Sequence, residues 1–203
     1  MKDIDYSALD KFIYSTGKLI NNTSIDKCKI LIEDFEKDLE SQNTSEKERY
    51  RANFYRLILD REDIINNVNY SFDILLAIIN NVETLKVNNI FVYKIVIDAY
   101  ILGAIVASQI NKSKESEELF DKALKFGEEH NGYSKDNYYD ALNCAYTWKA
   151  YFYLSKREYS KAKLLYNKVV TNYEEVKDDP NYFVKEKQSV DTSKAYLEKL
   201  KDV

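Results

Sequence analysis

Residues 108–129, SQINKSKESEELFDKALKFGEE, lie without a gap over residues 154–175, LSKREYSKAKLLYNKVVTNYEE. Ser113 then falls on Tyr159, Ser116 on Ala162, Phe120 on Tyr166 and Ala123 on Val169, and both stretches end in Glu-Glu. Similarity at a fixed period of tens of residues is the mark of a stack of small supersecondary units, none of which buries its apolar face alone. The offset here is 46 residues, and two further steps back of 45 give DREDIINNVNYSFDILLAIINNVET and STGKLINNTSIDKCKILIEDFEKDL. Ile20-Asn21-Asn22, Ile65-Asn66-Asn67 and Ile110-Asn111-Lys112 share one column, and Tyr55, Tyr100 and Tyr146 another. Four units follow, at about 1–44, 45–89, 90–134 and 135–180, with a tail to 203.

The Ile-Asn-Asn column reads as a corner. Ile closes one helix against the core, and Asn tolerates left-handed backbone and competes for main-chain hydrogen bonds. Thr23 or Ser24 in the first unit and Ser113 in the third are suited to capping the next helix. With 4 Gly and 1 Pro in 203 residues, there is too little turn chemistry for a sheet protein. The chain is therefore expected to be all-α, each unit a helix, a short turn and a helix. The first unit departs from the others, carrying Glu33 where they have Ile78, Ala123 and Val169, as an end unit of an array would. The tail follows Pro180, and Ala195, Tyr196, Leu197 and Leu200 give it a partly apolar stripe. It is expected to be a helix over 181–203 that caps the last unit.

Tyr146, Ala150 and Tyr153, followed by Tyr159, Ala162, Tyr166 and Val169, resemble the aromatic–small–aromatic pattern of a tetratricopeptide repeat. Tyr100, Ala104, Ala107, Phe120 and Ala123 carry the same pattern in the third unit. The resemblance is best over 95–175 and extends in part over 50–85. The period of 45 exceeds the family's usual length of about 34 residues. Enlarged repeats of this kind are similar to those of the peptide-pheromone sensors of Gram-positive bacteria (the Rap and PlcR type). The resemblance implies a right-handed superhelical solenoid of four repeats whose first helices line a concave groove. Carried onto this sequence, the groove positions are Asn53, Arg56, Asp60 and Asp63 in the second unit. The third gives Asp98, Ile101, Ile105 and Gln109, and the fourth Cys144, Thr147, Trp148, Tyr151 and Ser155. The family's chaperone-binding clamp would need Lys and Asn where Ile101, Ile105, Thr147 and Tyr151 stand, which argues against a co-chaperone.

Chemistry is sparse. The one histidine, His130, stands in GEEHNGYS. Glu128, Glu129 and His130 are one candidate for metal binding or proton transfer, but a loop position beside Asn131 and Gly132 is the expected role. No Gly-rich phosphate loop, GxSxG elbow or HExxH occurs. Cys28 and Cys144 form no CxxC pair and read as buried thiols of a reducing compartment. A formal charge of −4 is unlike a nucleic-acid binder, which needs clustered Lys and Arg. IFVYKIVIDAYILGAIVA, residues 90–107, is the most apolar run, but Lys94 and Asp98 interrupt it. It is expected to be a buried core helix and not a membrane span. The residues thus point to a cytoplasmic protein that is not an enzyme and uses neither metal nor cofactor. Its expected partner is a protein segment or peptide, homo-oligomerisation being open. The alternatives are a sensor of a short signalling peptide and, third, a metal-dependent hydrolase built on Glu128-Glu129-His130.

Overall fold

The computed structural model describes residues 18–41, 47–86, 90–130, 135–179 and 187–201, with the backbone alone for 135–139. The expected first helix up to residue 17, Pro180 and the segment to 186 lie outside the described residues. Every regular element among the described residues is helical. The chain divides into two compact units, Met1–Lys86 and Val87–Val203.

In the first unit a helical stretch at 18–22 leads into a 3₁₀ turn, Ile25–Lys27, and helix α1, Cys28–Ser41. Helix α2 is Lys47–Leu59, α3 the single turn Asp63–Asn66, and α4 Val68–Val82. Cys28, Ile32, Phe35 and Leu39 are the buried side chains of α1, at the alternating spacing of four and three that places residues on one face of a helix. Glu33 is exposed while Ile78, Ala123 and Val169 are buried; the inward position in the first unit passes to Ile32. α1 packs against α2 and α4, and Phe35 stacks on Phe54 with centroids 3.9 Å apart.

The corner at 65–67 differs from expectation. The helix before it does not run through to Ile65: α2 stops at Leu59, and Arg61 lies in the break before α3. The Arg61 side chain explains the break. Its Nη1 donates to the carbonyls of Ile20 and Thr23 at 2.6 and 2.8 Å, while Nε and Nη2 hold both Asp63 carboxylate oxygens at 2.8 and 2.6 Å. One guanidinium thereby binds two carbonyls at the end of the 18–22 helix, that of Ile20 in addition to the Thr23 amide that already donates to it. Neither Ser24 nor Lys112, the residues actually at the caps, makes a side-chain capping bond, and Ser113 is the first residue of its helix and not its cap.

In the second unit α5 is Ile90–Gln109, α6 Ser113–Glu129, α7 Lys135–Ser155, α8 Tyr159–Val176 and α9 Gln188–Lys199. α5 pairs with α6 and α7 with α8; α7 also packs on α5 and α6, and α9 lies on α8 and α7. α5 is the one helix among the described residues long and apolar enough to cross a membrane by length and composition. Most of its side chains are buried in its own unit, Val92, Ile95, Val96 and Ile97 completely. Each such residue contributes about 1.5–3 kcal/mol relative to exposure.

Small residues set the close contacts. Ala104, Ala123, Ala150 and Ala162 are all fully buried. Ser116, in the column of Ala162, is buried too and donates its hydroxyl to the Ala104 carbonyl at 2.8 Å. The tyrosine column has a recurrent partner: Tyr55 donates to Glu36 and Tyr146 to Glu128, each a glutamate on the helix before. Tyr153 likewise donates to Glu117 at 2.5 Å. Between α7 and α8, buried Asn172 donates to buried Asn143 at 3.0 Å.

Candidate functional site

One cavity, of about 400 Å³, opens where α7, α8 and α9 meet. From α7 come Cys144, Thr147, Trp148 and Tyr151, at the i, i+3, i+4, i+7 spacing that puts them on a single face. α8 contributes Tyr166, and α9 Gln188, Ser189, Thr192 and Tyr196. A volume of this size is within the range of small-ligand sites, about 300–1,000 Å³.

The aromatic side chains form a connected chain of rings. Trp148 meets Tyr151 edge to face at 6.2 Å, and Tyr151 meets Tyr196 likewise at 6.2 Å. Tyr196 lies parallel to Tyr166, centroids 5.2 Å apart and planes 3° from coincident. Offset and edge-to-face pairs of this kind contribute about 0.5–1.5 kcal/mol each beyond area burial. The chain runs from wet to dry: Trp148 is 41% exposed and Tyr151 48%, while Tyr166 is fully buried.

Tyr166 carries the most unusual group in the site. Its hydroxyl is buried and has no hydrogen-bond partner among the described residues, a condition that costs about 1–3 kcal/mol for a polar group. Burial, and then the neighbouring phenols of Tyr196 and Tyr151, push its ionisation well above the ordinary phenol range. It therefore remains an O–H donor across the physiological range. Thr147 differs: its hydroxyl already donates to the Asn143 carbonyl at 2.8 Å, leaving lone pairs to accept. No lining side chain among the described residues is formally charged.

The comparisons with known proteins fall at this point. No family model matches the chain, and no curated protein and no solved structure matches it either.

Of the groove positions expected from sequence, the cavity brings together Thr147, Trp148 and Tyr151, with Cys144 beside them. Ser155, next along α7, is exposed and turns its hydroxyl to the Phe152 carbonyl. Asp98 is half-buried on α5, Ile101 buried, Ile105 half-buried and Gln109 exposed; none lines the cavity. In the first unit Asn53 and Arg56 lie on α2, and Arg56 pairs with Asp60 at 3.1 Å. Asp63 is committed to Arg61, whose guanidinium holds its carboxyl below the usual range.

His130 terminates α6, its ring stacked on Phe126 at 4.2 Å and its Nδ1 2.9 Å from the Phe126 carbonyl oxygen. Its neighbour Glu128 accepts from Tyr146, and Glu129 pairs with Lys125 at 3.8 Å. No group of three metal-ligating side chains occurs among the described residues. Cys28 is buried, and burial raises its thiol pKa despite the opposing charge of Arg61.

The sequence reading missed half of this site. Tyr166 had been placed in the scaffold because it stands at an aromatic packing position of the repeat pattern. Gln188, Ser189 and Thr192 carry no signal at all until α9 is laid against α7. The one available clue was Tyr196, an aromatic in an otherwise Lys- and Glu-rich tail.

Proposed function

We infer that this chain is a non-catalytic binding module, a right-handed array of four enlarged tetratricopeptide-like repeats with a C-terminal capping helix. It binds an extended peptide or helix of a partner protein in the cytoplasm. The observation that supports the reading is the face of α7. Thr147, Trp148 and Tyr151 were assigned to a groove from repeat position alone, and all three line an open cavity with large aromatic surface left exposed. Exposed aromatics around a pocket are the usual anchors of protein recognition. Asp98, on α5 of the same unit, adds a polar position and favours a partner with some positive charge.

Selection of peptides from a random displayed library on the immobilised protein tests this. Enriched sequences should bind the free protein, and Trp148→Ala should weaken them by at least about ten-fold, as for an interface anchor. Asp98→Ala should weaken them less, and the difference should shrink at high salt. Recovery of no enriched sequence, or of binders indifferent to both variants, sinks the reading.

A further inference from the structure

The α7–α8–α9 cavity has a composition specific enough to define its occupant. Among the described residues its walls combine four aromatic rings with neutral polar groups, and no carboxylate, ammonium or guanidinium lines them. A charged ligand group would lose its hydration there without gaining a counter-ion. The π surface of Tyr196 is already engaged, by Tyr166 at 5.2 Å and by the Lys199 ammonium at 5.2 Å from the ring centroid. A second cation is thus not invited onto that ring. What the walls do offer is apolar area at Trp148 and Tyr151 and one buried O–H, that of Tyr166, with nothing to donate to among the described residues.

We propose that this cavity is the anchor site for an uncharged aromatic side chain of the bound peptide, whose adjoining main-chain carbonyl accepts the Tyr166 hydroxyl. The ring packs on the exposed surfaces of Trp148 and Tyr151, and the half-buried hydroxyls of Thr147 and Thr192 lie beside the peptide unit. The inference rests on the peptide-binding reading and names the residue that leads the peptide in. It gives α9 a part beyond covering the last helix pair, because Tyr196 and Thr192 form one wall of the anchor site.

The test uses the intact chain and N-acetyl-phenylalaninamide, which has the ring and the amide carbonyls but no charge. Trp148 is the one tryptophan, so a single indole N–H resonance reports on the site. That resonance should shift saturably at millimolar ligand, with toluene (a ring without acceptor) and tetramethylammonium (a cation without ring) each binding at least about three-fold more weakly. Tyr166→Phe should weaken the amide by about three- to ten-fold, the value of one hydrogen bond. Ser189→Phe, which fills the cavity from a half-buried position on α9, should abolish binding, with circular dichroism checking that both variants fold. The inference is overturned by any of four results. These are no shift with the amide, tighter binding of tetramethylammonium, toluene binding as well as the amide, or equal affinity in either variant. The titration needs no peptide partner, so its failure is distinct from an empty library selection, which would sink the peptide reading alone.

Discussion

Asn111 and Arg157, 46 positions apart, hold the same backbone angle, φ 61°. The residues that follow them match as well: Lys112 stands at φ −88°, ψ 64° and Glu158 at φ −85°, ψ 62°. In both turns the next amide reaches back five residues, Lys112 to the Ala107 carbonyl at 2.8 Å and Glu158 to that of Tyr153 at 2.9 Å. This is a Schellman-type helix ending built twice from different side chains.

Asn suits the left-handed region and Arg does not, the penalty for an ordinary residue being about 1–2 kcal/mol. Arg157→Asn should therefore raise stability by about 0.5–1 kcal/mol, and Asn111→Ala should lower it by about the same amount. Urea unfolding curves of the two variants provide the measurement. A loss of stability in Arg157→Asn would mean that the Arg side chain outweighs the strain of its backbone.

Gly127 faces the middle of the α5–α6–α7 packing. A β-carbon there would come within 2.9 Å of Leu142 Cδ1, with the Tyr93 hydroxyl at 3.4 Å and Ile97 Cδ1 at 3.5 Å. Ala gains about 0.8–1 kcal/mol of helix propensity over Gly, and a terminal methyl of Leu142 can shift. Gly127→Ala should thus remain within about 1 kcal/mol of the wild type. Val adds two methyl groups in the same space and should cost about 1–3 kcal/mol. Thermal melts that rank Val level with Ala would show the contact to be loose.

How much of this was legible follows from where each signal lies. The corner at 110–112 was readable because Asn has its own turn chemistry. The matching role of Arg157 was visible only through the 46-residue offset, since nothing local in Lys156-Arg157-Glu158 marks a turn. The break at 60–62 was not readable, because its cause is a guanidinium reaching carbonyls some forty residues earlier in the chain. For the cavity, helical spacing placed Thr147, Trp148 and Tyr151 on one face. Spacing within a helix cannot say which other helix meets that face, and so Tyr166 and the α9 residues remained hidden.

Arg61 should prove a stability residue with no part in binding. Arg61→Met removes the guanidinium from the Thr23 carbonyl and the Asp63 carboxylate and leaves the Ile20 carbonyl with the Thr23 amide alone, at an expected cost of about 1–3 kcal/mol. Asp63→Asn should cost less. The double variant should cost less than the sum of the two, because the Arg61–Asp63 pair is lost once. Additive losses in a double-mutant cycle would refute the coupling.

The pH dependence has two limbs. Tyr153's hydrogen bond lowers the Glu117 carboxyl pKa and Arg61's lowers that of Asp63, each below its ordinary value of 4.5 or 3.8. The stability these carboxylates contribute is present above those values and is lost as the pH falls through the depressed folded-state pKa values. On the alkaline side, burial raises the phenols of Tyr55, Tyr153 and Tyr166 above the ordinary 10.0, with Glu36 and Glu117 adding to the first two. Their contribution is complete below pH 10 and declines above it. Tyrosinate absorbance should therefore show part of the tyrosine complement ionising only as the fold is lost, whereas a smooth titration of all 18 tyrosines in the native state would contradict the burial.

The buried Asn143–Asn172 pair bears on how such a chain avoids assembling wrongly. The alternative to be avoided is α7 seated on α6 as its hairpin partner, in the place that α5 takes. The positions 46 residues before the two asparagines are Ile97 and Phe126. An α7 seated hairpin-fashion on α6 would set the Asn143 amide against Phe126, burying a polar group beside a ring that offers it no partner. α8 alone presents Asn172 at that depth. The amide pair thus favours α8 over α6 as the hairpin partner of α7, because only there does the buried Asn143 amide meet a matching group.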